Sequence, residues 1–252
     1  MVTVTPVHAF SDNYIWLLHS AGRAIAVDPG DATAVLAALA EHGLMLQALL
    51  ITHHHADHVG GIAELKRHFP GLTVYGPTGI AGVTDPVMEG SELTLFGQPF
   101  GVLEVPGHTL DHIAYHGAGL LFCGDTLFGA GCGRMFEGSA PQFYASLQKL
   151  AGLPGDTLVY PAHEYTLSNL RFAQAVEPGN PALTERERQD SASRTAGRPT
   201  LPSTLTQELA TNPFLRVDEP EVEASCRREA GHEVTEPAER FAVLRDWKNR
   251  FR

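Results

Sequence analysis

The chain has 252 residues, 43% of them hydrophobic, and a formal net charge of −11. That is enough apolar material for one large domain, or for a medium domain with an appendage, and the acidic balance argues against nucleic acid or an anionic membrane as a partner. No apolar run approaches the roughly 20 residues of a membrane helix, and the start Met1-Val2-Thr3-Val4-Thr5-Pro6 lacks a signal-peptide pattern, so a soluble, cytoplasmic protein is expected, and a monomer is the expectation for its oligomeric state.

In chain order, Val2 to Val7, Tyr14 to Leu18 and Ala24 to Val27 read as strands, the last ending at the turn signal Asp28-Pro29-Gly30-Asp31. Asp28 either orients a metal-ligating histidine or is a plain turn aspartate. Asp31 can cap a helix with apolar positions Val35, Leu36 and Leu39 and a stop at Gly43. Leu46 to Ile51 reads as a buried strand, and Ile62, Leu65 and Phe69 as a helix face. Between them lies Thr52-His53-His54-His55-Ala56-Asp57-His58-Val59-Gly60-Gly61. Packing gives no reason for so many imidazoles in one strand-to-helix loop; a divalent metal does. His53 and His55 can point the same way, and Asp57 and His58 can aim at a second point, which suggests two metals side by side. His54, between ligands, is expected to point away.

Two ions need more ligands than the loop holds, so the rest of the chain should deliver them at strand ends. Short strands follow at Thr73 to Tyr75, Glu92 to Leu95 and Phe100 to Val105, the last running into Pro106-Gly107-His108-Thr109. His112 reads as a packing or hydrogen-bonding residue. Leu120 to Cys123 is a strand ending at Asp125, a position costly for a carboxylate unless it is paired or metal-bound. Ser139 and Gln142 form a capping box for a helix carrying Leu147 and Leu150, and the strand Thr157 to Tyr160 leads to His163. Cys123, Cys132 and Cys226 are odd in number and contain no Cys-x-x-Cys, so inert thiols are expected. Strands that deliver His or Asp at their ends, with helices between, point to two sheets with helices outside over residues 1–165. After residue 165 strand signals fade. Ser168 to Val176, Thr184 to Arg194, Thr204 to Ala210 and Glu236 to Phe251 read as helices, making residues 166–252 a small helical domain.

The motif Thr52-His53-x-His55-x-Asp57-His58 resembles the signature of the metallo-β-lactamase superfamily. Phe10-Ser11-Asp12-Asn13-Tyr14, the Pro106 to Thr109 segment, Gly124-Asp125-Thr126-Leu127-Phe128, Gly131-Cys132-Gly133-Arg134, His163-Glu164-Tyr165-Thr166 and Asn212-Pro213-Phe214-Leu215-Arg216 resemble the glyoxalase II (hydroxyacylglutathione hydrolase) family within it. The resemblance implies an α+β, four-layer αββα sandwich with an all-helical C-terminal domain for glutathione. It implies one metal on His53, His55 and His108, a second on Asp57, His58 and His163, and Asp125 bridging both. Zinc is the first expectation, with iron or manganese also suited. A hydroxide bridging the ions is then the expected nucleophile, with Asp57 and Asp125 the carboxylates closest to the chemistry.

The resemblance also places Arg134, Phe136, Tyr165, Arg245 and Lys248 at the glutathione moiety. Arg245 and Lys248 are spaced to share a helix face. Phe136 departs from the tyrosine common at that position, which removes a hydroxyl worth about 1 kcal/mol if unreplaced. The implied reaction is thioester hydrolysis, S-lactoylglutathione to lactate and glutathione, the second step of methylglyoxal detoxification. A glutathione persulfide dioxygenase with a single iron, or another thioester or lactone hydrolase of the superfamily, is the alternative.

Overall fold

The computed structural model describes residues 2–251. By contacts the chain divides into two units. Unit 1 holds residues up to Glu104 together with Asp111–Gly124; unit 2 holds Val105–Leu110 together with the chain from Asp125 onward.

In unit 1, β1 (Thr3–Ala9), β2 (Asn13–Ser20), β3 (Arg23–Val27), β4 (Met45–Leu50), β5 (Thr73–Gly76) and β6 (Asp85–Pro86) form one sheet in that order. The first three pair antiparallel, and β3 to β6 pair parallel. A parallel pair needs a crossover, and α1 (Ala32–His42) supplies it between β3 and β4. Asp31 caps α1 by accepting from Thr33 N (2.8 Å) and Ala34 N (3.3 Å), and Gly43 ends it at φ 63°. The α1 residues Val35 and Leu39 bury against Leu46, Leu49 and Val74 of the sheet and Leu65 of α3 (Ile62–His68).

The four remaining strands, β7 (Glu92–Leu95), β8 (Gln98–Glu104), β9 (Ile113–Gly117) and β10 (Leu120–Gly124), pair antiparallel in sequence order. Three hairpins of unit 1 turn on residues held at positive φ, Ala21, Phe96 and Ala118, each followed by a glycine that is also positive. Two such residues in succession match the tight turn that follows the natural twist of paired strands.

The segment after β4 was expected to be loop as far as Ile62. It instead winds one turn of helix, α2 (Ala56–Val59). The cause is tertiary: Gly61 N donates to Pro29 O at 2.9 Å, and the Pro29-Gly30 backbone presses against α2.

Unit 2 contains the hairpin β11 (Leu127–Phe128) and β12 (Gly131–Cys132), then α4 (Ala140–Ala151), and the antiparallel pair β13 (Leu158–Pro161) and β14 (Ser203–Thr204). Its other helices are α5 (Thr166–Val176), α6 (Pro181–Thr195), α7 (Leu205–Thr211), α8 (Pro220–Ala230) and α9 (Pro237–Arg250). The capping box at α4 is present, with Ser139 N donating to Gln142 Oε1 at 3.0 Å. Phe241 of α9 packs on Phe143 of α4 (ring centroids 5.5 Å) and on Phe214 (5.8 Å), and Phe214 packs on Phe172 of α5 (5.9 Å). Through α4 this aromatic core draws residues before 165 into the helical unit, which a cut read from composition does not see. Helix α8 was not expected, because Val222 and Cys226 are almost its only apolar residues; both are fully buried. No helix among the described residues is long and apolar enough to cross a membrane.

Candidate active site

The histidines of unit 1 follow the end of β4. His53 and His58 are fully buried, His55 and Asp57 half-buried, and His54 exposed. His53 Nε2 lies 3.0 Å from His55 Nδ1, and the His53 and His58 rings are 4.0 Å apart.

One buried carboxylate sets the His53 tautomer. Asp28 accepts from Thr52 N (2.8 Å) and Thr52 Oγ1 (2.8 Å), and its Oδ2 is 3.1 Å from His58 Nδ1. That approach to His58 is a close polar contact between a buried imidazole and a buried carboxylate. Thr52 gives its own proton to Asp28, so at 3.0 Å it accepts from His53 Nδ1, and His53 keeps its lone pair on Nε2. Asp28 is thus a positioning residue rather than a plain turn aspartate. Asn13 Nδ2 donates to Asp57 Oδ2 at 3.0 Å. A Cβ on Gly30 would lie 1.8 Å from Asp57 O, so only glycine permits this approach. His112 stacks on His53 (4.5 Å, 17° between planes) and points its Nδ1 at Ile113 O, as a packing residue does. His54 Nδ1 lies 2.9 Å from Asp111 Oδ1.

Unit 2 contributes His108, Asp125 and His163, all buried. Asp125 Oδ2 is 3.4 Å from His108 Nε2, and its Oδ1 is 3.4 Å from His163 Nε2. His108 donates from Nδ1 to Arg134 O at 2.8 Å, so its Nε2 lone pair faces the Asp125 carboxylate. His58 Nε2 lies 3.5 Å from Asp57 Oδ2. Lone pair against carboxylate oxygen is repulsive unless positive charge lies between them. Within unit 1 the candidate ligands His53, His55, Asp57 and His58 gather after β4, and within unit 2 His108, Asp125 and His163 gather around the Asp125 carboxylate. The donor set, imidazole and carboxylate without thiolate, therefore fits divalent metal.

His108 and Asp125 also line a cavity of about 490 Å³, together with Phe136, Tyr165, Arg245 and Lys248. Tyr165 stacks flat on His163 (4.8 Å, 5°), and Phe136 meets His108 edge-on (5.3 Å). Arg134, on the same wall, is exposed. Arg245 is buried rather than free: Nη1 donates to Cys132 O (2.9 Å) and Gly133 O (3.2 Å), and the guanidinium lies over Phe214. Lys248 donates to Ser168 O (3.0 Å) beside the rings of Phe172 and Phe251. Burial, helped by the positive charges of Arg245 and Arg171, pushes its ammonium down to about 8. The Cys132 thiol touches the Arg245 guanidinium, yet burial dominates and holds it up at about 11. All three cysteines are buried and none is in a disulfide, as expected of inert thiols.

The profile of the metallo-β-lactamase superfamily matches residues 10–163, and that of the hydroxyacylglutathione hydrolase C-terminus matches residues 164–251. The hydroxyacylglutathione hydrolase of Nitrosomonas europaea is 52% identical over 256 residues, covering 100% of this chain and 97% of its own. This chain belongs to the hydroxyacylglutathione hydrolase family. Among solved structures, ETHE1 from Myxococcus xanthus shares the fold with a TM-score of 0.63 and 26% identity, covering 98% of each chain. TTHA1623, solved in a di-iron-bound form, is 30% identical with a TM-score of 0.51, covering 64% of this chain and 92% of that one.

Membership, with the His and Asp groups above, makes the protein one that holds divalent metal ions. Of the family's motifs, Phe10 to Tyr14 carried no readable chemistry in the sequence. The structure places its Asn13 on Asp57, across a separation of 44 residues that no local pattern could bridge. Thr52 was readable only as the residue before the first histidine, and its part in orienting His53 emerges from the bond to Asp28.

Proposed function

We propose that this chain hydrolyses glutathione thioesters, S-lactoylglutathione among them, as the second step of methylglyoxal detoxification. The supporting observation is that the donors His108 and Asp125 and the cations Arg134, Arg245 and Lys248 line one cavity. A carboxylate-bearing thiol carrier and a hydrolytic centre need that combination.

In this reading His53, His55 and His108 hold one ion and Asp57, His58 and His163 the other, with Asp125 shared. When bound, the ions supply a water acidified toward neutrality and a Lewis acid for the thioester oxygen. Zinc is the proposed metal; iron and manganese suit the same ligands, and a relative carries iron. The chain's own groups do the rest. Asp28, through Thr52, and the Arg134 carbonyl fix which nitrogens of His53 and His108 face the ions. Arg245, Lys248 and Arg134 take the carboxylate end of glutathione, and Tyr165 and Phe136 flank the thioester. The acyl C–S bond breaks, a C–O bond to water oxygen forms, and glutathione leaves as thiolate. That leaving group needs no strong acid.

We further propose that recognition of the glutathione moiety lies in residues 166–252 and catalysis in residues 1–165, and that the protein works as a monomer in the cytoplasm. Three buried cysteines, none in a disulfide, fit a reducing compartment.

The test is thiol release from S-lactoylglutathione by metal-loaded protein in an oxygen electrode. Stoichiometric glutathione and lactate without oxygen uptake is expected. Oxygen consumption on glutathione persulfide, with the thioester left intact, would replace this reading by the dioxygenase.

A further inference from the structure

We infer that Asn212, Glu208 and Asn169 are positioning residues, a buried clamp that sets the active site through the β11–β12 hairpin; the inference rests on the proposed reading of the site. Every residue of the hairpin tip has a backbone group taken by one of these side chains. Asn212 Nδ2 donates to Phe128 O (3.3 Å) and Gly131 O (2.8 Å). Asn169 Nδ2, from α5, donates to Gly129 O (3.0 Å). Ala130 N donates to Glu208 Oε2, from α7, at 2.8 Å. Ala130 sits at φ 53°, a conformation that an L residue rarely adopts and that its surroundings must hold.

The clamp is itself fixed. Glu208 Oε1 accepts from Arg186 Nη2 (2.6 Å) and Ser203 Oγ (2.6 Å), and Arg186 Nη1 donates to Thr211 Oγ1 (2.6 Å). Asn212 Oδ1 accepts from Phe214 N at 3.1 Å. Asn212 and Glu208 are fully buried, and Asn169 nearly so. A satisfied polar network of this kind selects one arrangement of the backbone it grips, where apolar side chains would fill the space without choosing.

Both ends of the hairpin run into the site. Asp125 stands just before β11. At the end of β12 and just beyond it, the carbonyls of Cys132 and Gly133 accept from Arg245, and that of Arg134 accepts from His108 Nδ1. The two ends touch: a Cβ on Gly133 would lie 2.0 Å from Asp125 O. Tilting the hairpin therefore moves a shared carboxylate, the orienter of a ligand histidine and the seat of a substrate-binding arginine together. None of the clamp side chains is among the residues lining the cavity except Asn169.

The experiment compares metal-loaded, full-length wild type with Asn212→Ala and the milder Asn169→Ala. It reads metal affinity by chelator competition, KM and kcat on S-lactoylglutathione, and Tm. Loss of such outer support lowers metal affinity about 10- to 100-fold, and KM rises in the same variant, with Asn169→Ala changing both in the same direction by less. Variants that melt earlier but keep wild-type metal affinity and KM would overturn the proposal. If Asn212→Ala does not fold, Asn169→Ala decides alone. Metal affinity is read without turnover, so a wild type inactive on the thioester refutes the proposed reaction and leaves the clamp to be judged on metal binding.

Discussion

Asp125→Ala is expected to lower kcat/KM on S-lactoylglutathione on the order of a thousand-fold, with a fall in bound metal and no loss of fold. Asp125 is a buried carboxylate whose two oxygens each face an imidazole nitrogen at 3.4 Å, and one of those, His108 Nε2, carries a lone pair by virtue of its Nδ1 bond to Arg134 O. Removing the shared carboxylate releases one ion or loosens both. The electrostatic stabilisation that a bound ion gives a developing oxyanion is several kcal/mol, and about 4 kcal/mol is roughly a thousand-fold in rate. The two roles differ for the metal-free protein. As a metal ligand, a carboxylate buried against the His108 lone pair costs stability when no cation is present, so metal-free Asp125→Ala should melt no lower than metal-free wild type; a purely structural carboxylate would make it melt lower. Elemental analysis, kinetics and melting with and without chelator read all three. Wild-type rate and metal content in the variant would remove Asp125 from the site.

Arg245→Ala is expected to raise KM for glutathione thioesters about 10- to 100-fold while leaving metal content alone. A hydrogen bond to a charged group is worth about 1.5–3 kcal/mol, which converts to that range. Besides the contact with substrate proposed for it, its guanidinium satisfies the carbonyls of Cys132 and Gly133. Tm should therefore fall as well, by an amount reflecting about 1–3 kcal/mol for each group left unsatisfied. Lys248 lies on the same helix with its ammonium held down at about 8. Its charged form, the one that attracts a carboxylate, is complete well below that pH and lost above it. KM should therefore climb as pH rises through about 8, and the climb should vanish in Lys248→Arg. An unchanged KM in Arg245→Ala would take that residue out of the binding site.

The candidate metal ligands were the most legible part of the sequence because their signal is chemical: imidazoles clustered between a buried strand and an amphipathic helix have few other uses. Isolated residues such as His108, Asp125 and His163 could be nominated because each follows a strand. The parts that escaped depend on tertiary proximity. Asn13 meets Asp57 only because β2 begins beside α2, and the Asn212 motif explains itself only once it is seen on the tip of β11–β12. Helix α8 escaped because its buried stripe is too thin to register as a period. The burial of Arg245 was equally invisible, since a basic residue on a charged helix reads as solvated until Phe214 and the Cys132 carbonyl are placed against it.

The central claim is that two metal ions, held by seven side chains, hydrolyse a glutathione thioester. The most direct measurement strips the protein with chelator, returns zinc in steps, and follows thiol release from S-lactoylglutathione against bound metal per chain. Activity rising to a plateau at two ions per chain is predicted. Full activity at one ion, or no hydrolysis with two ions bound, would contradict it.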